Sequence, residues 1–157
     1  MNRILSLIGV VLVVGCGSPP DGPYESYYNN GQLMEKGTWK DGERDGPYEW
    51  YHENGQLRSK KTYKDGVEDG PSELYYNDGQ LFQKFTFKDG ELDGPYEWDF
   101  EDGQLRLKRT YKDGVQDGPY ESYHEDGQLL SKGIYKDDEK CGEWFELGNT
   151  VPKKDPC

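Results

Sequence analysis

The sequence repeats itself every 24 residues, and this period constrains the fold more than any other feature. The first unit reads DGPYESYYNNGQLMEKGTWKDGER at 21–44, and four more follow without insertions at 45–68, 69–92, 93–116 and 117–140. Residues 141–144 keep the same phase and begin a partial sixth unit. An aromatic residue recurs at one phase in all five units, which indicates a folded array and not a disordered chain: Trp39, Tyr63, Phe87, Tyr111 and Tyr135.

Each unit contains two turn signals and two short runs of alternating residues, which is the pattern of β-hairpins. Asn or Asp precedes Gly at Asn30-Gly31 and again at Asp41-Gly42, and most later units repeat both pairs. The chain has no Ala, 21 Gly and 9 Pro, which argues against a helix bundle. The sequence therefore predicts an all-β fold, a single-layer elongated antiparallel meander of stacked β-hairpins. It has about ten strands and a last strand near 143–147.

The turn residues also predict the register, because Asn-Gly and Asp-Gly favour two-residue turns. Such a loop at Asn30-Gly31 places Tyr28 opposite Leu33 and Glu25 opposite Lys36. One face, the aromatic face, then collects Tyr24, Trp39, their equivalents and five leucines, Leu33, Leu57, Leu81, Leu105 and Leu129. The other, the charged face, collects the Glu and Lys columns with a few residues such as Phe82. Proline near the start of each unit predicts a bulge or strand start there.

The motifs Asp-Gly-Pro-Tyr-Glu, Tyr-Tyr or Tyr-His, Asn/Asp-Gly-Gln-Leu and Tyr-Lys-Asp-Gly recur in phase between residues 21 and 147. This pattern resembles the bacterial variant of the MORN repeat family. The resemblance implies stacked β-hairpins in an elongated sheet used for protein or membrane contacts. Close bacterial relatives, the YwqK-like group, are labelled antitoxin-like components of toxin–antitoxin systems, a label that corresponds to no particular residue here.

The first 20 residues predict export and membrane attachment. A positively charged start precedes an apolar run at 4–14 that is too short to cross a bilayer, so 1–15 is typical of a secretory signal peptide. The run ends in Val-Val-Gly-Cys, which resembles a bacterial lipobox and implies lipidation of Cys16, with 16–20 as lipidated cysteine and tether. We expect an exported lipoprotein anchored in the cell envelope, in the outer or inner membrane. The alternative is an ordinary signal peptide with an incidental cysteine.

Charge and repetition exclude several classes of function. The net charge of −12 argues against nucleic acid as a partner. Candidate carboxylates recur in near-identical copies, whereas an active site needs one asymmetric set of groups, so we expect no enzyme and no catalytic residue. His52 and His124 lie three units apart and cannot share a metal. We expect no metal and no cofactor, although calcium at the Asp-Gly turns stays open as a weak alternative.

The aromatic face of the middle units is the predicted binding surface, because a single sheet has no second layer to cover it. The candidate residues are Tyr48, Trp50, Leu74, Tyr96, Trp98 and Phe100. We expect a protein partner. Two alternatives stay open: the rings stack on sugars of a cell-envelope glycan, or Trp50 and Trp98 are the best-packed part of a small core.

The two remaining cysteines predict a cap at the end of the array. Cys141 and Cys157 enclose a short loop, and an exported protein leaves the reducing cytosol, so we expect them to form a disulfide. Closing such a loop contributes about 3 kcal/mol. Residues 141–157 would then form a partial sixth repeat and a C-terminal cap over the last strand. The alternative is two free thiols on a frayed tail.

Overall fold

A computed structural model describes residues 19–146, 148–152 and 157. Strands and the turns between them make up this part of the chain, all the strands belong to one antiparallel sheet, and no helix occurs in it. The predicted all-β, single-layer meander is therefore confirmed. The predicted signal peptide and Cys16 lie outside the described residues. No helix in the described ranges is long and apolar enough to span a membrane.

The strands pair in the order in which they follow one another along the chain. They are β1 (Gly22–Tyr27), β2 (Leu33–Lys40), β3 (Glu43–Arg44), β4 (Gly46–Tyr51), β5 (Leu57–Lys64), β6 (Val67–Glu68), β7 (Gly70–Tyr75), β8 (Leu81–Lys88), β9 (Glu91–Asp99), β10 (Leu105–Lys112), β11 (Val115–Tyr123), β12 (Leu129–Lys136), β13 (Glu139–Glu146) and β14 (Asn149–Pro152). The short β3 and β6 pair only with β2 and β5. In later units the equivalent residues are continuous with the following strand, as in β9.

The Asp-Gly turns have the predicted two-residue geometry. Asp41 and Gly42 have φ angles of 51° and 81°, and Lys40 pairs with Glu43 across them. Positive φ at both central residues is the mark of the type I′ turn that suits the twist of a hairpin. In the fifth unit Asp138 replaces glycine and still adopts a φ of 64°.

The prediction of a two-residue turn at Asn30-Gly31 is wrong, because the loop contains three residues. The Tyr28 amide donates to the Gln32 carbonyl at 2.8 Å, and the Gly31 amide donates to the Tyr28 carbonyl at 2.9 Å. Only Gly31 has a positive φ, 83°, as in a type I turn closed by a left-handed glycine. Asn30 Oδ1 accepts a hydrogen bond from the Gln32 amide at 2.9 Å, so the Asn stabilises an Asx turn.

The longer loop moves the leucine column to the charged face. Leu33 pairs with Tyr27, and a bulge restores the predicted register at Ser26–Glu35. Directly paired residues project from the same face, and a slip of one residue changes the face. The Tyr27 hydroxyl donates to the Glu25 carboxylate, which identifies the charged face. The leucines were predicted on the aromatic face, and this prediction is wrong for all five of them: Leu33, Leu57, Leu81, Leu105 and Leu129.

The residue at the bulge projects to the aromatic face. Phe82, expected on the charged face, stacks on Tyr76 with ring centroids 4.5 Å apart. Its equivalent in the fourth unit, Arg106, lies 4.1 Å above the Trp98 ring. A second irregularity occurs where proline was expected to interrupt the ladder. Between the pairs Trp39–Arg44 and Lys36–Glu49, the strand that contains Pro47 has two extra residues.

A row of alternating charges crosses the charged face. Glu25 pairs with Lys36, Lys36 with Glu49, and the alternation continues without interruption to Lys132. The predicted neighbours Glu49 and Lys60 are directly paired, which confirms this part of the register. Ion pairs close within and between hairpins, as in Lys108–Glu97 at 2.9 Å and Lys36–Glu49 at 2.9 Å. Each contributes about 0.2–1 kcal/mol and mainly favours one register.

The small core lies on the aromatic face. Tyr48 is fully buried at 0% exposure, and Trp144 is 2% exposed. A glycine lies beneath each ring: a Cβ atom on Gly37 would lie 2.0 Å from Tyr48 Cδ2, and one on Gly133 would lie 2.3 Å from Trp144 Cδ2. The absence of a side chain thus lets these two rings lie flat on the backbone of the neighbouring strand.

The C-terminal residues continue the sheet. β14 pairs with β13 and covers its outer edge, from Glu146–Asn149 to Glu143–Pro152. Cys141 and Cys157 are joined by a disulfide, with Cα atoms 5.1 Å apart. Trp144 of the partial sixth unit donates its indole N–H to the Cys141 carbonyl at 3.1 Å, which fixes the ring over the end of the array.

Candidate functional site

The register brings three of the candidate residues into one row on the aromatic face. Trp50 pairs with Ser59, Ser59 with Leu74, Leu74 with Gln83, and Gln83 with Trp98. Tyr48 and Tyr96 each precede a Trp by two residues and therefore share its face. Phe100 lies at the sheet margin, where its amide donates to the Gln104 carbonyl at 2.8 Å. Four strand steps, about 19 Å, separate the two tryptophans, so they belong to two different clusters.

The first cluster, the Arg44 cluster, surrounds one guanidinium with four aromatic rings. Arg44 Cζ lies 4.7 Å from the Tyr48 centroid and 5.2 Å from that of Trp50. The Trp39 and Tyr63 centroids follow at 5.6 and 5.7 Å. Tyr48 and Trp50 also stack on each other at 4.6 Å. Cation–π contacts of this kind contribute about 0.5–2 kcal/mol.

Electrostatics in the Arg44 cluster favour neutral phenols around a paired cation. The Glu35 carboxylate lies 4.0 Å from the Arg44 guanidinium. Burial raises the pKa of Tyr63 to about 12 and also raises the pKa of Tyr48. Trp39 Nε1, Arg44 Nε and the Tyr48 hydroxyl are buried, and Trp39 and Arg44 beside that hydroxyl lower the pKa of Tyr48 against the effect of burial. Tyr48 is the buried centre of the Arg44 cluster, and the surrounding Trp39, Arg44, Trp50 and Tyr63 are half-buried.

The second cluster, the unit-four cluster, holds two arginines on four rings. Arg106 Cζ lies 4.1 Å from the Trp98 centroid and 5.4 Å from that of Phe100. Arg109 Cζ lies 4.6 Å from Tyr96 and 5.1 Å from Tyr111. In the described part of the chain, no carboxylate oxygen lies within 4.0 Å of either guanidinium. Arg106 is exposed, and Arg109 is half-buried to the same class as Arg44.

A shallow groove adjoins the unit-four cluster at the sheet margin. It has a volume of about 450 Å³ and is lined by Phe100, Arg106, Tyr123, His124, Glu125, Asp126 and Leu130. The groove opens where a ladder of side-chain hydrogen bonds between successive turns ends. Tyr28 donates to the Tyr51 carbonyl at 2.6 Å, and Tyr76 donates to the Asp99 carbonyl at 3.5 Å. Phe100, at the same phase, has no polar atom to continue this ladder.

The charged face carries a column of tyrosines bonded to the glutamate row. The Tyr75 hydroxyl donates to the Glu73 carboxylate at 2.7 Å, and burial together with this bond raises the pKa of Tyr75 to about 12. A hydrogen bond from Lys132 lowers the pKa of Glu121. In the fourth unit Asp99 replaces the tyrosine, and burial with the nearby Glu97 raises the pKa of its carboxyl.

Sequence reasoning identified the rings of both clusters but missed the three arginines. Arg44 and Arg106 occupy phases at which other units carry unrelated residues, so the repeat pattern gave them no weight. Their phases hold different residue types in different units, whereas a neighbouring phase is aromatic in every unit. This contrast is the signal that could have indicated the arginines. No group of three or more His, Cys, Asp or Glu side chains in the described ranges has the geometry to hold a metal ion.

Five consecutive segments match the family model of the MORN repeat variant, at residues 20–41, 44–65, 68–89, 92–113 and 116–137. The chain belongs to the MORN repeat variant family. The matched segments begin 24 residues apart, so the MORN repeats have the period and, within one residue, the phase of the sequence units. Membership in the YwqK-like group stays a prediction.

Other comparisons add little to the MORN assignment. No curated protein matches the sequence. Among solved structures, the chain is similar to one titled as the GtfA/B complex bound to UDP and GlcNAc, at 14% sequence identity and a TM-score of 0.32. That match covers 77% of this chain and 23% of the other, so this MORN-repeat chain spans under a quarter of that protein's length.

Proposed function

We propose that this protein is an exported, membrane-anchored lipoprotein whose MORN repeats form a non-enzymatic protein-interaction module. The observation that carries the proposal is the unit-four cluster, in which Trp98 and Phe100 remain partly exposed on a sheet face without a second layer in the described residues. Aromatic residues and arginine are enriched at the energetically important centres of protein interfaces. The Arg44 cluster has the same residue types, but its central Tyr48 is buried and its arginine lies beside Glu35.

Binding by the unit-four cluster is tested with Trp98→Ala. Arg106 is the partner that stacks on Trp98, whereas Trp50 packs on Tyr48, so loss of Trp98 should leave the sheet folded. Crosslinking in envelope membranes followed by mass spectrometry should identify a protein with wild type and lose it with Trp98→Ala. Tyr27→Ala is the matched control, because Tyr27 is 48% exposed on the charged face.

Two outcomes would contradict this part of the proposal. Equal crosslinking of the partner by wild type and Trp98→Ala would remove the unit-four cluster from the interface. Loss of strand circular dichroism together with loss of the partner would instead identify Trp98 as core. Quenching of tryptophan fluorescence by soluble envelope oligosaccharides, absent in Trp98→Ala, would favour the carbohydrate-binding alternative.

Anchoring by lipidation of Cys16 is tested separately with Cys16→Ser. Wild type should fractionate with membranes and migrate faster on a gel than the unprocessed variant, because the lipid replaces the signal segment. Cys157→Ser, which breaks the Cys141–Cys157 disulfide at the other end of the chain, is the control and should stay membrane-bound. The anchoring proposal fails if Cys16→Ser matches wild type in both fractionation and mobility.

A further inference from the structure

Some cationic side chains on the aromatic face have an acidic partner among the described residues, and others, Arg58, Arg106 and Arg109, do not. Of the unpaired cations, Arg106 and Arg109 lie over aromatic rings. Arg44 lies beside Glu35, Lys61 bonds Glu68, and Lys140 bonds Glu146. Arg106 and Arg109 have no carboxylate within 4.0 Å among the described residues. Because the chain has 31 acidic against 19 basic residues, a shortage of carboxylates does not explain the difference.

The stacked geometry leaves both arginines ready to bind an anion. A guanidinium that lies flat on a ring keeps its N–H edge free, and that edge matches a carboxylate in a two-point contact. Arg109 Nε is buried, as Arg44 Nε is, so a ligand would meet the Nη groups of Arg109. The rings also restrict the two side chains before binding, so less conformational entropy is lost when a ligand arrives.

We propose that Arg106 and Arg109 bind the carboxylates of an acidic, extended segment of the partner protein. This inference rests on the proposed function and names the chemistry of its partner. Three residues along a strand span about 10 Å, and alternate side chains of an extended peptide lie about 7 Å apart on one side. The flexible Asp or Glu and Arg side chains bridge this small difference, so acids at alternate positions fit the pair.

Features around the pair favour a polypeptide over a glycan and indicate its direction. A sugar would stack on the Trp98 and Tyr96 rings, but guanidinium groups already lie over both. On the turn side, Glu101, Asp102 and Glu125 line a groove shared with Arg106 and repel a second anion there. The acidic segment should therefore approach from the Arg109 side and run along β9 and β10.

The test uses the full chain in detergent with a fluorescein-labelled octaglutamate peptide, and an octaglutamine peptide as the uncharged control. Fluorescence anisotropy should show binding of octaglutamate only. Arg106→Gln and Arg109→Gln should each weaken binding about tenfold, and the double variant should abolish it. Arg58→Gln is the matched control: Arg58 is exposed at the same bulge phase of the second unit and should leave binding unchanged. Unchanged strand circular dichroism would show that the variants are folded.

Several results would overturn the inference. Failure of octaglutamate to bind, or equal binding by the double variant, would remove the arginine pair as an acid-binding site. Tighter, arginine-dependent binding of oligogalacturonate or of phosphatidylglycerol vesicles would assign the pair to a glycan or a lipid surface. If the double variant still crosslinks the partner that Trp98→Ala loses, the proposed function stands and this inference fails. If no partner crosslinks to wild type while octaglutamate binds the pair, the proposed function fails and the arginine site stands.

Discussion

The Arg44 cluster and the unit-four cluster are built at related phases of the same repeat, but they differ in how their arginines are paired. In the first, one half-buried arginine contacts four rings and lies beside Glu35. In the second, two arginines share four rings and have no acidic partner among the described residues. One strand face thus forms a core at one place and an open surface at another.

The residue beneath the central tyrosine accounts for much of this difference. Gly37 lets the Tyr48 ring lie flat and become fully buried. The equivalent position on the strand before Tyr96 is Phe85, whose ring stacks on Tyr96 at a centroid distance of 5.7 Å, and Tyr96 stays half-buried. The aromatic residues establish the face, and the variable positions between them decide whether that face closes on itself.

The largest expected difference between the clusters is the effect of removing the central ring. Tyr48→Ala should lower the free energy of unfolding by about 3–5 kcal/mol, because it empties a fully buried position. Tyr96→Ala should cost clearly less, since Tyr96 retains solvent contact. Urea unfolding followed by circular dichroism measures both. Equal costs would show that the unit-four cluster is as closed as the Arg44 cluster.

Adding a single methyl group beneath Tyr48 tests the cause of the difference. Gly37→Ala should destabilise by about 1–3 kcal/mol, because the new Cβ would collide with the ring. Lys61→Ala, at the same phase in the second unit, is the control and should cost under about 1 kcal/mol from the lost Glu68 pair. If Gly37→Ala destabilises the protein no more than the control, then the Tyr48 ring can move aside, and the absence of a side chain at residue 37 does not account for its burial.

The arginines should differ more modestly in their contribution to folding. Arg44→Gln, which introduces the residue found at this phase as Gln116, should lower stability by about 1–2 kcal/mol through lost ring contacts. Arg109→Gln should cost about 0.5–1 kcal/mol, because it has fewer ring contacts. Urea midpoints of the two variants rank them. A larger loss for Arg109→Gln would contradict the distinction between core and surface.

The smallest expected effect is a loss of stability at high pH. Burial raises the pKa of Tyr63 from near 10 to about 12, so the folded state holds the phenol proton more tightly than the unfolded state. Stability is therefore unaffected below about pH 10 and falls as the pH rises toward 12. Tyr63→Phe should flatten this decline in urea midpoints measured from pH 8 to 11.5. The matched variant Tyr111→Phe provides the comparison for the unit-four cluster, and a steeper decline in Tyr63→Phe than in wild type would contradict the assignment.

Periodicity was enough to predict the sheet, the order of its strands and the Asp41-Gly42 turns, because each depends on residues close in sequence. The Asn30 turns were mispredicted because Asn-Gly suits both a two-residue type I′ turn and a three-residue loop. The Asn30 hydrogen bond to the Gln32 amide decides in favour of the longer loop. That one residue moved Leu33 and its equivalents to the other face.

The candidate site was only half predictable for a different reason. Trp98 and Tyr96 follow from the repeat, since every unit has an aromatic residue or leucine at one or both of these two phases. The stacking of Arg106 depends on the bulge, which turns its side chain toward Trp98, and the bulge follows from the mispredicted loop. The lack of an acidic partner for Arg109 depends on residues contributed by several strands, which no single unit encodes.

The alternating row from Glu25 to Lys132 restricts how an array of this kind can change in length. Every hairpin adds one strand with Glu and one with Lys, so deletion of a whole unit joins a Lys strand to a Glu strand again. Loss or gain of a single strand would bring two like charges side by side and also reverse the strand direction. We therefore expect the array to lengthen or shorten in steps of 24 residues, because only the gain or loss of a whole repeat keeps opposite charges paired along the row.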